Sequence, residues 1–294
     1  MVFSRRGRSL DKHWQLVFAA ATIAWLVVVT AAAPQQIAQP VLAPRYPPAA
    51  ANARSASPAY RPGHTSTTAS ARSPLDDPLR LLAEAGRSYQ NVRDYTCRLI
   101  KQERINGKLQ PLNLINLKMR TQPFSVSMQW VAPKHMAGQE VVYVDGWYDG
   151  MMRVHPAGML RFVNFVSVHP DDPRTKSESR HNIREAGIGH LISHFHRRWT
   201  TERQLQRTQV RIADYNYANR TCTRVETIHK DSAGGLIPDH RNVVYFDKQT
   251  RLPIRVECYD WPKRGGTPGG ELLETYSYVD LQFNVGLRDD IFRR

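Results

Sequence analysis

Short apolar segments that alternate with polar residues, separated by turn dipeptides, constrain this chain more than any other feature. Phe124, Val126, Met128 and Trp130 alternate with Ser125, Ser127 and Gln129. A period of two puts successive side chains on opposite faces of a sheet, so this segment reads as a half-buried strand. Tyr95, Cys97 and Leu99 alternate in the same way, and Asn106-Gly107 supplies a hairpin turn toward a return strand over Leu112–Met119. Further strands are expected over Glu140–Val144, Met151–His155, Leu160–Val168, Val210–Tyr217, Thr221–His229 and Arg241–Phe246. Asp145-Gly146 and Asp149-Gly150 place Trp147 and Tyr148 in a tight reversal. The closing runs Leu252–Tyr259 and Leu273–Phe283, joined by a Gly/Pro loop, complete the series. Strands recurring every ~8–12 residues argue for an antiparallel curved sheet or barrel rather than a parallel α/β sheet.

Two segments break this pattern. Asp76-Asp77-Pro78 is a helix-start signal, and Leu79, Leu82, Ala83, Gly86 and Tyr89 follow at helical spacing, predicting a helix that ends near Asn91. The block Arg180–Trp199 carries Ile188, Leu191, Ile192 and Phe195 on one helical face and predicts a central helix. The fold class is mainly β (α+β): a half-barrel of roughly ten strands with an N-terminal helix and a central lid helix.

The N-terminus carries an export signal. Arg5, Arg6, Arg8 and Lys12 precede the uncharged run Leu16–Ala33, which ends in three alanines. Its length lies between a cleaved signal peptide and a membrane span, and Pro34 follows directly, so residues 1–33 read as a signal peptide or a signal-anchor. The basic flank leaves the rest of the chain outside the cytoplasm, in the periplasm or cell envelope, with residues 16–33 in the inner membrane if they are retained. Residues 34–73 are Pro-, Ala-, Ser- and Thr-rich with few large apolar side chains, the composition of a disordered tether. The folded domain is expected over 74–294.

Charge and cysteine content remove several function classes. The net charge of +15 is divided almost evenly between residues 1–73 (+7) and the remaining 221 (+8), so the domain is only mildly basic. Its bases are scattered singly, often beside acids, which argues against nucleic acid as a partner. Cys97, Cys222 and Cys258 form no C-x-x-C and no zinc spacing, and read as small apolar residues on strands, though one disulfide is possible.

The segments Asp94–Cys97, Pro123–Val126, Gly138–Val141, Arg180-His181 leading to Glu185–Gly189, Asp247 with Leu252–Ile254, Tyr259–Pro262 and Tyr278–Leu287 resemble an exported bacterial family, domain of unknown function 1571. The resemblance covers roughly residues 79–292. That family is similar to the lipoprotein-carrier group of LolA and LolB, and Leu281–Leu287 is most similar to the carriers' last strand. The resemblance implies an unclosed antiparallel barrel with helices packed as a lid over an apolar concavity. It carries no catalytic residues over to this chain. The enrichment in His190, His194 and His196 departs from the family's pattern.

The residues themselves suggest three sets. Met128, Trp130, Tyr143, Trp147, Met152, Ile254, Val256, Tyr276 and Tyr278 would line a concavity, or simply form core if the interior is packed. Arg180, His181, Glu185, Gly187 and Gly189 precede or open the central helix. They would lock it onto the sheet through an Arg–Glu pair, or act as a latch that opens it. Gly187-Ile188-Gly189 could present backbone N–H groups to an anion, against the simpler role of a tight turn in close packing. His190 and His194, four apart, have a metal-ligand spacing on a helix, with Glu185 the nearest acid, but no Glu follows His190 as H-E-x-x-H requires. No Ser-His-Asp set, nucleophile elbow or P-loop is present. The expected function is a non-enzymatic, cofactor-free envelope protein holding an acyl chain, lipid or lipidated protein. The alternatives are a tethered protein-interaction module with a packed interior, and a His-based metal-dependent hydrolase.

Overall fold

In the computed structural model, which describes residues 72–294, helix α1 (Asp76–Tyr89) starts where the acidic cap and proline place it. Asp76 and Asp77 occupy its first turn, and the Ser73 N–H donates to the Asp76 carboxylate at 2.9 Å. The export segment at 1–33, and the tether at 34–73 save its last two residues, lie outside the described residues. Among the described residues no helix is long and apolar enough to cross a membrane.

Twelve strands follow: β1 (Asp94–Ile105), β2 (Lys108–Leu109), β3 (Asn113–Arg120), β4 (Ser125–Ala132), β5 (Glu140–Val144), β6 (Met152–His155), β7 (Val166–Val168), β8 (Thr208–Tyr217), β9 (Arg220–His229), β10 (Arg241–Asp247), β11 (Pro253–Tyr259) and β12 (Leu272–Phe283). A short helix, α2 (Thr175–Glu178), and the central helix α3 (Ile188–Leu205) interrupt them after β7. Every pairing is antiparallel, and the sheet runs β7-β6-β5-β4-β3-β1-β12-β11-β10-β9-β8, with β2 hairpinned onto β1. The path has two ends, so the sheet is open. The first and last strands meet in its middle and join two meanders.

The alternation in sequence decides the two faces. Tyr95, Cys97 and Leu99 on β1 point to the same side as their partners Met119, Leu117 and Ile115 on β3, and all six are buried. Helix α3 covers this side with Ile188, Ile192, Phe195 and Trp199, and α1 packs against α3. The opposite side of β5 buries Val142 and Val144 against Phe292, with Trp147, Leu287 and Ile291 around them. The C-terminal segment is fastened there by Asp94, whose carboxylate accepts from the Gly286 and Leu287 N–H groups, and by the Arg120–Asp289 pair at 2.6 Å.

Three expectations change. Leu160–Val168 is a strand only from Val166, because Gly158 adopts φ +64° and residues 158–160 form a 3-10 turn. The central helix opens at Gly187, φ +96°, as expected, but runs past Trp199 to Leu205. The strand count is twelve rather than roughly ten: eleven strands answer the expected segments, and β2, two residues long, is too short to show a period. The three cysteines are free and buried, as expected of small apolar residues.

Trp199 is fully buried and stacks between Phe195 and Phe246. Replacing it with alanine is expected to lower stability by about 3–5 kcal/mol, read by urea unfolding.

Candidate functional site

Eight of the nine expected cavity residues share the helix-covered side of the sheet. The register places Met128 beside Leu117, Tyr143 beside Val126, and Tyr276 beside both Lys101 and Val256. Trp130, Tyr143, Met152, Ile254, Val256 and Tyr278 are buried, while Met128 and Tyr276 are partly so. The ninth, Trp147, is a correction: it follows β5 through a turn and packs on the opposite side, in the Val142–Val144–Phe292 cluster. None of the nine lines either of two polar clefts in the surface. One, of about 760 Å³, lies between α1 and β8–β9 and is bordered by Arg80, Glu84, Ile212 and Arg251. The other, of about 460 Å³, is bordered by Arg104, Pro170, Ser179, Arg180, His181 and Glu185.

The second cleft opens on the most concentrated electrostatics of the inward side. Glu103 on β1 stands directly opposite Glu274 on β12. Two carboxylates in that register repel unless cations intervene. The segment ahead of α3 supplies the cations: Arg180 Nε donates to Glu274 Oε2 at 2.7 Å, and His181 Nε2 to the same oxygen at 2.9 Å. His181 Nδ1 lies 2.9 Å from Glu185 Oε2. Both ring nitrogens face carboxylates, so both must donate, and the ring is an imidazolium. Burial opposes that charge, but Glu274 and then Glu185 outweigh it and lift His181 to about 9. Burial likewise opposes ionisation of Glu274, yet His181 and Arg180 hold it at about 2. Glu103 takes Lys101 Nζ at 3.0 Å, accepts from Ser179 Oγ at 3.2 Å, and accepts from the Tyr276 hydroxyl. The pair that locks this segment to the sheet is thus Arg180–Glu274, while Glu185 pairs with His181.

Helix α3 begins without a side-chain cap of its own. Its N–H groups meet tyrosines instead. Ile188 N–H donates to the Tyr95 hydroxyl at 3.0 Å, and the Gly187 and Gly189 backbones hydrogen-bond to Tyr278 and Tyr89. Burial pushes the Tyr95 and Tyr278 phenols up, so they remain neutral. Donors that would otherwise suit an anion are therefore already used. A Cβ on Gly187 would lie 2.7 Å from the Tyr95 hydroxyl oxygen, and one on Gly189 would lie 2.6 Å from the Tyr89 ring.

The other half of α3 is equally fixed. Arg198 forks onto Asp239 at 2.5 and 2.7 Å and reaches Glu202 at 2.8 Å. His229, fully buried, donates from Nδ1 to the Asp239 carbonyl at 3.0 Å and places Nε2 3.0 Å from Glu202. Removing one member of such a buried set leaves an uncompensated charge, which makes the set an anchor rather than a hinge. The central helix is pinned at both ends. The segment 169–187 in front of it contains only short helical turns and few buried residues.

His190 and His194 do share a helical face, with ring centroids 5.9 Å apart. Burial lowers both, His194 to about 4 with Arg198 assisting, so both are neutral at pH 7. His181 is committed to its carboxylates, and His196 is exposed. Among the described residues no three His, Cys, Asp or Glu side chains are grouped to hold a metal. Sequence reasoning missed Glu103 and Glu274 altogether. Their signal was present: each sits at the apolar parity of its strand, two residues from Lys101 and Tyr276 respectively.

A model of the family described as protein of unknown function (DUF1571) matches residues 92–294. No curated protein matches the chain. Among solved structures it is similar to MucB, with 15% identity and a TM-score of 0.43 over 75% of this chain and 62% of that one. It is also similar to the lipoprotein LppX of Mycobacterium tuberculosis (9%, TM-score 0.42, 72% and 98%). A LolA superfamily protein from Nitrosomonas europaea follows with 10% identity and a TM-score of 0.29, over 73% and 96%. At these identities and scores, no ligand, partner or activity passes from those proteins to this chain.

Two outcomes are expected. A raised His181 contributes stability that is complete below its ordinary value near 6.5 and is lost as pH rises through about 9; a depressed Glu274 contributes stability present above 4.5 and lost as pH falls through about 2. Amide protection over 179–187, normalised to intrinsic exchange, should therefore fall across the alkaline window, and Glu274→Gln should remove that dependence. Gly187→Ala combines a φ of +96° with the Tyr95 collision and should cost about 1–3 kcal/mol in urea unfolding.

Proposed function

This chain belongs to the DUF1571 family, and we propose that it is a non-enzymatic, extracytoplasmic binding protein for an acyl chain, lipid or lipidated protein. Residues 1–33 serve export or anchoring in this reading, and 34–73 tether the domain. The observation that carries it is the unequal cover of the inward apolar side. Over β8 and β11 that side is closed by the pinned helix α3. Over β4–β7 that side carries Trp130, Tyr143, Met152 and Val168, all buried, and the segment 169–187 reaches it at Tyr143. Arg184 of that segment lies over the Tyr143 ring, 5.8 Å from its centroid, and its Nε donates to the hydroxyl at 3.3 Å.

That segment contains one four-residue helix and one 3-10 turn, and only Pro170 and Gly187 in it are buried. It is held to the sheet by polar contacts, Arg180 and His181 to Glu274 and Ser179 to Glu103 at 3.2 Å, and is folded on itself by Arg184–Asp171 at 2.8 Å and Asn182 to the Pro170 carbonyl at 2.9 Å. Segments with few buried apolar contacts open at low cost. A ligand replacing it would gain about 0.8 kcal/mol for each methylene buried on the strip it uncovers.

The test is a titration of residues 70–294, which form one compact unit, with a fluorescent fatty acid. Saturable binding is expected, with faster association for Glu274→Gln, in which the cover is released. Absence of saturable binding in both forms would overturn the reading. A second reading, an envelope interaction module, draws on the other side of β8–β10, where Arg211, Arg224 and Arg241 gather around the one carboxylate of Glu226 at 4.0, 3.2 and 3.1 Å. Salt-sensitive capture of an acidic partner without lipid binding would favour it.

A further inference from the structure

The turn between β6 and β7 carries the two most exposed large apolar side chains among the described residues. Met159 is 88% exposed and Phe162 is 79% exposed, and Arg161 stands between them. Large apolar side chains this exposed, side by side on a projecting turn, are uncommon on a surface that meets only water. The turn is self-contained: Arg161 N–H donates to the Gly158 carbonyl and Val163 N–H to the Leu160 carbonyl, so its tip needs no other element to satisfy those groups.

Behind the tip lies a girdle of aromatic rings and arginines. The Arg294 guanidinium sits over Phe165 at 5.6 Å, Arg153 over Tyr148 at 5.6 Å, and Arg293 over Trp147 at 5.9 Å. Arg153 also donates to the Phe165 carbonyl at 2.9 Å, and the Arg294 N–H donates to the Tyr148 hydroxyl at 2.8 Å, so these groups are contiguous. Of Arg153, Arg161, Arg293 and Arg294, only Arg294 has a carboxylate within ion-pair reach among the described residues, Glu140 at 3.4 Å. The patch therefore carries excess positive charge.

We propose that the β6–β7 turn is a membrane-docking tip, with Met159 and Phe162 entering the interface of an anionic bilayer and the girdle resting at headgroup level. Both apolar side chains are almost wholly exposed, and neither borders either of the two surface clefts in which a protein partner could seat an anchor residue. A bilayer needs none: it takes apolar side chains at the acyl boundary, Trp and Tyr at the headgroups, and arginines whose stems lie along the apolar part while their charges reach phosphate. This docking is distinct from any contact made by the apolar run at 16–33, and it does not depend on what the inward side of the sheet binds.

Asn164, exposed beside the tip, is the position for a probe, because Cys97, Cys222 and Cys258 are buried and leave an introduced Asn164→Cys as the accessible thiol. The full chain carrying this substitution, labelled with the environment-sensitive fluorophore NBD, is mixed with zwitterionic vesicles with or without about 30% anionic phospholipid. Emission is expected to shift to the blue and brighten several-fold on the anionic vesicles. Arg161→Gln should lower the ratio of engaged to free tip about fivefold, one surface arginine's contribution. Met159→Ser with Phe162→Ser should abolish the shift while leaving the chain bound to vesicles wherever residues 16–33 hold it there. Aqueous NBD emission from a vesicle-bound chain would overturn the proposal, as would a shift indifferent to anionic lipid or to loss of the two apolar side chains.

Discussion

Everything in this fold is organised by the pairing of the first strand with the last. β1 and β12 lie side by side from Tyr95–Phe283 to Glu103–Glu274, and no other contact joins the two meanders along the sheet. The pairing is long-range, and its closure entropy must be met by what collects along the seam. At one end the seam assembles Tyr95 and Tyr278, which receive the start of α3. At the other it forces Glu103 against Glu274, a repulsive pair made tolerable by the segment at 179–181, Lys101 and the Tyr276 hydroxyl. Beyond β12 the chain turns onto the outward side and is tied to Asp94, at the start of β1.

The consequence is a division between fixed and releasable parts. Helix α3 contributes Ile188, Phe195 and Trp199 to the core, and ordered polar groups hold both its ends. Moving it would expose those side chains and leave buried charge at Arg198, Glu202 and Asp239, a loss comparable to the marginal stability of a whole domain. The preceding segment contributes almost no apolar core. Its ties are ionic, and its release costs the neutralisation that Arg180 and His181 give to Glu274. The helix expected to act as a lid is thus part of the frame, and under the proposed function the lid is the irregular stretch before it.

Strand-level architecture was readable because alternation is a local property. Phe124–Trp130 and Leu273–Phe283 announce both a strand and its buried side, and β4 and β12 follow them closely. Asp76-Asp77-Pro78 announced α1 for an equally local reason. What could not be read locally was pairing. Nothing near Arg180 indicates that its carboxylate lies 94 residues away at Glu274, and Glu185, the near one, was the natural but mistaken partner. Trp147 was misplaced for a related reason: two turns follow β5, and a turn resets the parity that alternation supplies. The tyrosines that cap α3 come from three separate elements and leave no spacing to recognise.

An inward acid on a strand of apolar parity is costly to bury, and this sheet buries two in register. An apolar pair at this register would avoid that cost. Under the proposed function the reason for bearing it is competition. A cover fastened by leucines and phenylalanines would occupy the same apolar strip that a ligand needs, and its release would cost as much as binding returned. A cover fastened by His181 and Arg180 at the rim is held by a different kind of interaction from the one the ligand uses. The strip over β4–β7 is then open to whatever buries more of it, while the carboxylate pair on the seam stays in place to recapture the cover once that occupant leaves.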